Sequence, residues 1–132
     1  MSGATLFLPD EMIRFDANVF IQWLADNKIT SAYIPPFMIA DLARSDTLPA
    51  SLKRLLTGVS AIPAQLLYEI KHRLPSPCLI NGYGPAEATV CAILYPVPDT
   101  LPEPGRAPIG KPVPNPEIYL LDPDENPVKQ GE

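Results

Sequence analysis

The distribution of proline constrains this chain more than any other feature of its sequence. The 132 residues include 18 prolines, where an average usage of ~5% would predict about seven. They recur every few residues from Pro96 to Pro127, whereas residues 10–34 contain none. Proline lacks a backbone N–H and fixes φ, so long helices and central strands are predicted only before Pro96. We therefore predict two parts, at residues 1–95 and 96–132.

Short apolar runs alternate with amphipathic segments in the first part. Strands are predicted at residues 4–8, 29–34, 52–58 and 78–81, and helices at residues 16–27, 37–43 and 63–74. Asp16 is the expected N-cap of the first helix. This alternation predicts an α/β fold with a parallel, flavodoxin-like sheet and helices on both faces. In the second part, residues 117–122 are predicted as a strand that turns back to Val128, which gives a β-rich extension of loop and hairpin.

Composition excludes several classes of function. The net charge of −5 argues against a nucleic-acid partner, because a phosphate-binding surface needs clustered lysine and arginine. No apolar run approaches the ~20 residues that cross a bilayer, and no signal peptide is recognisable, so we expect a cytoplasmic protein without a membrane partner. Cys78 and Cys91 are predicted to be buried thiols in a reducing compartment. The single histidine, His72, is predicted to be solvated, and zinc binding is not expected.

Unusual residues stand where three of the predicted strands end. If these strands are parallel neighbours, their carboxyl ends form one ligand-binding rim. Tyr33, Gly58 and the stretch 81–84 would meet there, and Glu87 follows as a hard oxygen ligand suited to Mg²⁺. Glycine permits close approach of a ligand, and Tyr83 offers a ring for stacking. The residues alone leave two alternatives open, a nucleotide site and a simple tight turn followed by a solvated carboxylate.

A resemblance to a known family bears on this choice. The stretch "NGYGPAEAT" at residues 81–89 resembles the Asn-x-Tyr-Gly-Pro-Thr-Glu core motif of adenylate-forming enzymes. It is most similar to the adenylation domains of nonribosomal peptide synthetases. Residues 29–42, 52–67 and 107–132 resemble further segments of these domains, in the expected order. The resemblance covers nearly the whole chain.

The resemblance implies a site for ATP and Mg²⁺. Tyr83 would stack on adenine, Asn81 would bind the adenine amino group, and Gly84 belongs to the same nucleotide-binding motif. Glu87 would bind the Mg²⁺ that accompanies ATP and would be the catalytic residue of this segment. Alanine stands at position 86 where the family has threonine, which removes a hydroxyl group from the phosphate site.

The resemblance also implies a pocket for the acyl substrate. The residues that map to it are Tyr33, Leu56, Gly58, Gly82, Val90 and Cys91. This lining is largely apolar and without formal charge, so an uncharged, hydrophobic substrate side chain is expected. Valine at position 59 replaces a glycine that the family usually has. The aspartate that pairs with an amino-acid ammonium would lie upstream, so amino-acid, keto-acid and aryl-acid substrates all stay open.

The implied function is activation of a small carboxylic acid with ATP to an acyl-adenylate, followed by thioester transfer to a carrier protein. Residues 1–95 would be the substrate-pocket subdomain, and residues 96–132 would lead to the next subdomain. The phosphate loop, the ribose-binding segment and the lid with its lysine would lie elsewhere in the adenylation domain. We therefore expect the chain alone to be inactive. The alternatives are a non-catalytic α/β module that binds a ligand or partner, and a structural domain with a proline-rich interaction tail.

Overall fold

One mixed sheet organises the chain. A computed structural model describes residues 3–75 and 77–129. The sheet has five strands in sequential order, of which the first three are parallel and the last two antiparallel to their neighbours. The strands are β1 (Ser31–Tyr33), β2 (Arg54–Gly58), β3 (Cys78–Tyr83), β4 (Ile93–Pro96) and β5 (Lys111–Pro112). The α-helices are α1 (Glu11–Phe15), α2 (Ala17–Asp26), α3 (Ile39–Arg44) and α4 (Ala64–Arg73), and Pro36–Met38 and Ala86–Ala88 form 3₁₀ turns.

Helices α2 and α4 begin where the sequence signals them, whereas α1 was not predicted and α3 begins two residues later than expected. The Asp16 carboxylate accepts hydrogen bonds from the backbone N–H groups of Asn18 (2.9 Å) and Val19 (3.1 Å), which confirms the predicted N-cap of α2. Helix α4 starts directly after Pro63, whose fixed φ suits the entry to a helix. Its apolar positions include Leu67, which is fully buried in the core.

The helices cover one face of the sheet, so the prediction of helices on both faces is wrong for the described residues. α3 connects β1 to β2 and α4 connects β2 to β3, and right-handed crossovers between strands in sequential order place both helices on the same side. α3 contacts both α2 and α4. Leu55 and Leu79 on this face are buried, whereas Leu56 and Ile80 on the opposite face remain partly exposed.

The sheet is also not parallel throughout, which corrects the predicted flavodoxin-like arrangement. β3 and β4 pair antiparallel from Ile80 opposite Pro96 to Tyr83 opposite Ile93. Residues 84–92 between them contain only one 3₁₀ turn. A connection this short cannot carry the chain back along the sheet, so β4 returns beside β3 in the opposite direction.

Two predicted strands do not form. Residues 4–8 have no ladder partner, and Leu6 and Leu8 are about four-fifths exposed (81% and 79%). Residues 117–122 form no regular strand, although an isolated bridge joins Leu121 to Pro127 and the Val128 N–H donates to the Leu120 carbonyl oxygen (3.0 Å), as the predicted return to Val128 requires. The backbone N–H and C=O groups of a strand need hydrogen-bond partners on a neighbouring strand, and an apolar composition alone does not provide that neighbour. The predicted turn is present, since the Asp122 carboxylate accepts hydrogen bonds from the Asp124 and Asn126 N–H groups, both at 2.9 Å.

The proline-rich part folds back onto the α/β unit. The Ala107 N–H donates to the Ile62 carbonyl (2.8 Å), and the Ala64 N–H donates to the Gly105 carbonyl (2.9 Å). The segment therefore packs against the start of α4, which argues against a free interaction tail. Gly131 and Glu132, which the resemblance matches to a family motif, lie outside the described residues. None of the described helices has the length and apolar character that crossing a membrane requires.

Candidate functional site

The carboxyl ends of β1, β2 and β3 form one rim, as predicted. The parallel register places Tyr33 beside Leu56, and Gly58 beside Gly82. The ends of neighbouring parallel strands therefore lie side by side. This is the position where open α/β sheets bind their ligands.

The two glycines of the rim are required by close backbone contact. A Cβ atom on Gly58 would lie 1.9 Å from the Gly82 carbonyl oxygen, and Gly58 has a φ of 150°. The next residue, Val59, donates its N–H to the same Gly82 oxygen (3.1 Å). Val59 has a φ of 61°, which is a strained value for a β-branched residue. The valine that replaces the expected glycine is thus held in a backbone conformation suited to glycine.

A groove of about 450 Å³ lies on the face of the sheet that the helices leave open. Its lining consists of Ser31, Ala32, Tyr33, Arg54, Leu55, Leu56, Cys78, Ile80, Cys91 and Leu94. The Tyr33 side chain is 46% exposed. Partial burial raises the pKa of its hydroxyl, and the nearby Cys91 thiol raises it further.

Four of the predicted substrate residues come together at this groove. Tyr33, Leu56 and Cys91 line it directly. Gly82 adjoins them, because a Cβ atom there would lie 2.7 Å from Cys91 Sγ and 3.4 Å from Leu56 Cδ1. Gly58 lies beside Gly82 at the rim. Val90 is not among the lining residues and is 51% exposed on the loop after β3.

Sequence reasoning named only Tyr33, Leu56 and Cys91 among the ten residues that line the groove. Ile80 and Leu94 add apolar walls, and Arg54 adds a charge at the end far from the rim, where its Nε donates to Ser31 Oγ (3.2 Å). The lining is therefore not free of formal charge. The alternation of side chains along a strand identifies Ile80, since it lies two residues before Gly82 and faces the same side.

The loop after β3 presents the predicted nucleotide residues. Tyr83 is 50% exposed at the rim, and Glu87 is exposed in the following 3₁₀ turn. Gly84 allows the loop to close, because a Cβ atom there would lie 2.6 Å from the Ala92 nitrogen. Thr89 and Val90 both have positive φ, at 59° and 69°. The loop is thus a strained turn that holds two functional candidates in solvent.

Asn81 lies below the rim instead of on it. Its side chain is 4% exposed, and its Nδ2 donates to the Pro108 carbonyl oxygen (3.0 Å). Among the described residues no protein atom forms a hydrogen bond with its Oδ1. A carbonyl oxygen only accepts hydrogen bonds, so Pro108 determines which end of the Asn81 amide faces it.

A metal ion at this rim would rely on Glu87. No group of three or more potential ligand side chains occurs within residues 3–75 and 77–129. An exposed single carboxylate suits Mg²⁺, which keeps several waters and uses one or two carboxylates together with substrate phosphates. Glu87 fits such an ion, and Ala86 beside it offers no side-chain oxygen.

Two predictions about side chains outside the rim need correction. Cys78 is exposed, while Cys91 is intermediate in burial, so the pair is not buried as predicted, although both thiols are free. His72 is exposed as predicted, yet its ring nitrogens face the Tyr68 carbonyl oxygen (2.9 Å) and the Asp99 carbonyl oxygen (3.1 Å). The ring therefore links α4 to the segment after β4.

The chain is similar in sequence to a known enzyme family and to several peptide synthases. The model of the AMP-binding enzyme family matches residues 1–132. Tyrocidine synthase 1 of Brevibacillus parabrevis is 32% identical over 124 residues, which cover 94% of this chain and 11% of that protein. Tyrocidine synthase 2 of the same organism is 36% identical over 123 residues, which cover 92% of this chain and 3% of that protein.

Solved structures show the same fold. PA1221, a nonribosomal peptide synthetase protein containing adenylation and PCP domains, matches with a TM-score of 0.74 and 28% identity over 86% of this chain and 23% of its own. The anthranilate CoA ligase AuaEII, solved with anthranoyl-AMP, matches with a TM-score of 0.74 and 27% identity over 96% of this chain and 24% of its own. The chain thus spans about a quarter of these structures.

Proposed function

Because the chain belongs to the AMP-binding enzyme family and is homologous to the adenylation domains of nonribosomal peptide synthetases, we propose that it supplies the acid groove and part of the nucleotide site of an adenylate-forming ligase. In the proposed reaction a carboxylate oxygen of the acid bonds to the α-phosphorus of ATP. The bond from that phosphorus to the oxygen bridging to the β-phosphate breaks, and pyrophosphate leaves. The product is an acyl-adenylate.

The observation that carries this proposal is the shared rim. Tyr83 is exposed at the carboxyl end of β3 and Glu87 in the turn that follows, and Gly82, next to Tyr83, adjoins the groove of Tyr33, Leu56 and Cys91. An adenine ring stacked on Tyr83 would leave its phosphates beside Glu87 and its α-phosphorus near the mouth of the groove. Gly84 belongs to the proposed nucleotide site through the turn that it permits. Holding the acid and ATP side by side in this way reduces the entropy cost of bringing the two reactants together.

Glu87 is proposed to hold the Mg²⁺ that accompanies ATP. The ion, when bound, neutralises phosphate charge and favours departure of pyrophosphate. The chain itself contributes a carboxylate on a rigid, strained turn at the rim. Asn81 is proposed to accept a hydrogen bond from the adenine amino group through Oδ1, since its Nδ2 is occupied by Pro108.

The groove is proposed to take an acid with an apolar, uncharged side chain. Leu56, Ile80 and Leu94 supply apolar walls, whereas Arg54 lies at the end remote from the rim. Gly58 and Val90 are proposed to contact the substrate near the mouth. We further propose that residues 1–95 act as the substrate-pocket subdomain, that residues 96–132 lead to the next one, and that a carrier-protein domain receives the acyl group.

Substrate-dependent exchange of pyrophosphate into ATP tests the proposal in the complete protein that contains this sequence. Tyr83→Ala removes the stacking ring, so the KM for ATP should rise about tenfold. Tyr83→Phe keeps the ring and should preserve the KM. Glu87→Gln removes the charge at nearly the same size and should lower kcat at least about tenfold. Unchanged parameters in Tyr83→Ala and Glu87→Gln would contradict the assigned roles.

The isolated 132-residue chain is proposed to be inactive in the same assay. It contains no Gly- and Ser/Thr-rich phosphate loop with its lysine. Exchange by the isolated chain well above that of its Glu87→Ala variant would refute this statement. Nucleotide binding without exchange in the complete protein would favour the alternative of a non-catalytic α/β binding module.

A further inference from the structure

Two buried oxygen atoms beneath the rim lack hydrogen-bond partners. Thr57 is 1% exposed and Asn81 is 4% exposed. Within residues 3–75 and 77–129, neither Thr57 Oγ1 nor Asn81 Oδ1 forms a hydrogen bond with a protein atom. Buried polar groups in folded proteins are almost always paired, because an unpaired one has lost its hydrogen bonds to water without replacing them. The two atoms therefore call for a common explanation.

The two residues are direct neighbours in the sheet. Thr57 of β2 is the register partner of Asn81 of β3. Both lie on the face that the helices cover, as the burial of Leu55 and Leu79 two residues earlier in each strand shows. Neighbouring strands are about 4.8 Å apart, so the side chains of register partners on one face lie next to each other.

The orientation of the Asn81 amide indicates that Thr57 serves as its hydrogen-bond donor through one water. Nδ2 faces the Pro108 carbonyl oxygen, so Oδ1 is the end of the amide that still needs a donor. A threonine hydroxyl donates one hydrogen bond and rotates freely to direct it. Thr57 Oγ1 and Asn81 Oδ1 form no direct hydrogen bond with each other. We propose that Thr57 is a positioning residue for Asn81, because its hydroxyl donates to one buried water that in turn donates a hydrogen bond to Asn81 Oδ1.

The consequence for ATP rests on the proposed function. With Pro108 on one end and Thr57 on the other, the Asn81 amide cannot rotate, and its oxygen keeps one lone pair for a further donor. The 6-amino group of adenine is such a donor once nucleotide binding uncovers this buried oxygen. Inosine triphosphate carries an oxygen at this position and would meet the amide oxygen without a hydrogen. Thr57 would thus sharpen the preference for ATP over inosine triphosphate without touching either nucleotide.

The preference for ATP over inosine triphosphate, measured as the ratio of the two kcat/KM values in the complete enzyme, tests this role. Thr57→Val is isosteric and removes the hydroxyl, so the ratio should fall about fivefold. Thr57→Ser retains the hydroxyl and should keep the ratio. Leu79→Val, two residues before Asn81 on the same face, should lower Tm and leave the ratio unchanged. In an Asn81→Ala background Thr57→Val should have no further effect on the ratio, because Thr57 acts through Asn81.

The ratio and the Tm values together decide the matter. Where Asn81→Ala lowers the ratio, a ratio unchanged by Thr57→Val, or lowered equally with and without Asn81, would overturn the proposal. If Asn81→Ala alone leaves the ratio unchanged, the proposed adenine contact fails by itself, and the Tm values decide whether the hydrogen bond exists. Tm losses of Thr57→Val and Asn81→Ala that are smaller together than their sum support the bond, and additive losses overturn it.

Discussion

Replacing Val59 by glycine should stabilise the chain. Val59 has a φ of 61° and a side chain that is 55% exposed, so it combines backbone strain with little burial to lose. The left-handed conformation costs a residue with a Cβ atom about 1–2 kcal/mol. Glycine avoids this cost and loses about 0.4–1 kcal/mol to the greater freedom of the unfolded chain. The net gain expected for Val59→Gly is about 0.5–1 kcal/mol.

The assay is thermal and urea unfolding followed by circular dichroism, with Val19→Gly as the matched control. Val19 is 48% exposed and lies in the helix α2, where glycine is less favourable than valine. Val59→Gly should raise Tm by about 2–5 °C, while Val19→Gly should lower it. A loss of stability in both variants would refute the argument that Val59 is strained.

Three other variants test the packing that builds the site. Gly82→Ala should destabilise the chain, because its Cβ would lie 2.7 Å from Cys91 Sγ, and adding Cys91→Ala should restore part of the loss in urea unfolding. Asp16→Ala should cost about 1 kcal/mol in the same assay, since α2 loses its N-cap. The Lys71 ammonium, 2.8 Å from Asp99, lowers the pKa of that carboxyl. The resulting stability exists above the unfolded pKa and is lost as pH falls through the folded value, so Lys71→Met should flatten the acid side of a Tm profile.

The sequence predicted the parallel part of the sheet because local signals and tertiary packing agree there. β2 and β3 are apolar runs with a glycine at or next to their carboxyl ends, and the helix between them, α4, begins directly after Pro63. Residues 4–8 and 117–122 carry equally apolar runs but find no neighbouring strand among the described residues. The β-propensity of a segment does not determine whether another strand lies beside it to form a ladder.

The site residues likewise divide into those that local sequence patterns predict and those that depend on tertiary contacts. Tyr33, Gly58 and Gly82 were predictable as a group, because the ends of strands that are parallel neighbours must converge. Leu56 and Cys91 were added by the resemblance to the adenylation domains. Pro108 was not, since its carbonyl reaches Asn81 across a separation of 27 residues that no periodicity in the sequence encodes. Every residue type has a backbone carbonyl group, so the sequence does not indicate which carbonyl in a loop will accept a hydrogen bond from a site residue.

The strain at the rim is an argument for function on physical grounds alone. Val59, Thr89 and Val90 are β-branched, and all three adopt positive φ at the ends of β2 and β3. Each costs stability, and hydrogen bonds such as Val59 N–H to Gly82 O and Val90 N–H to Pro85 O (both 3.1 Å) hold the backbone in place. Strain of this kind persists where the surrounding structure imposes a geometry, and it concentrates at ligand sites. A turn needed only to join β3 to β4 would gain stability from glycine or asparagine at positions 89 and 90, so the β-branched Thr89 and Val90 favour a turn whose shape serves ligand binding.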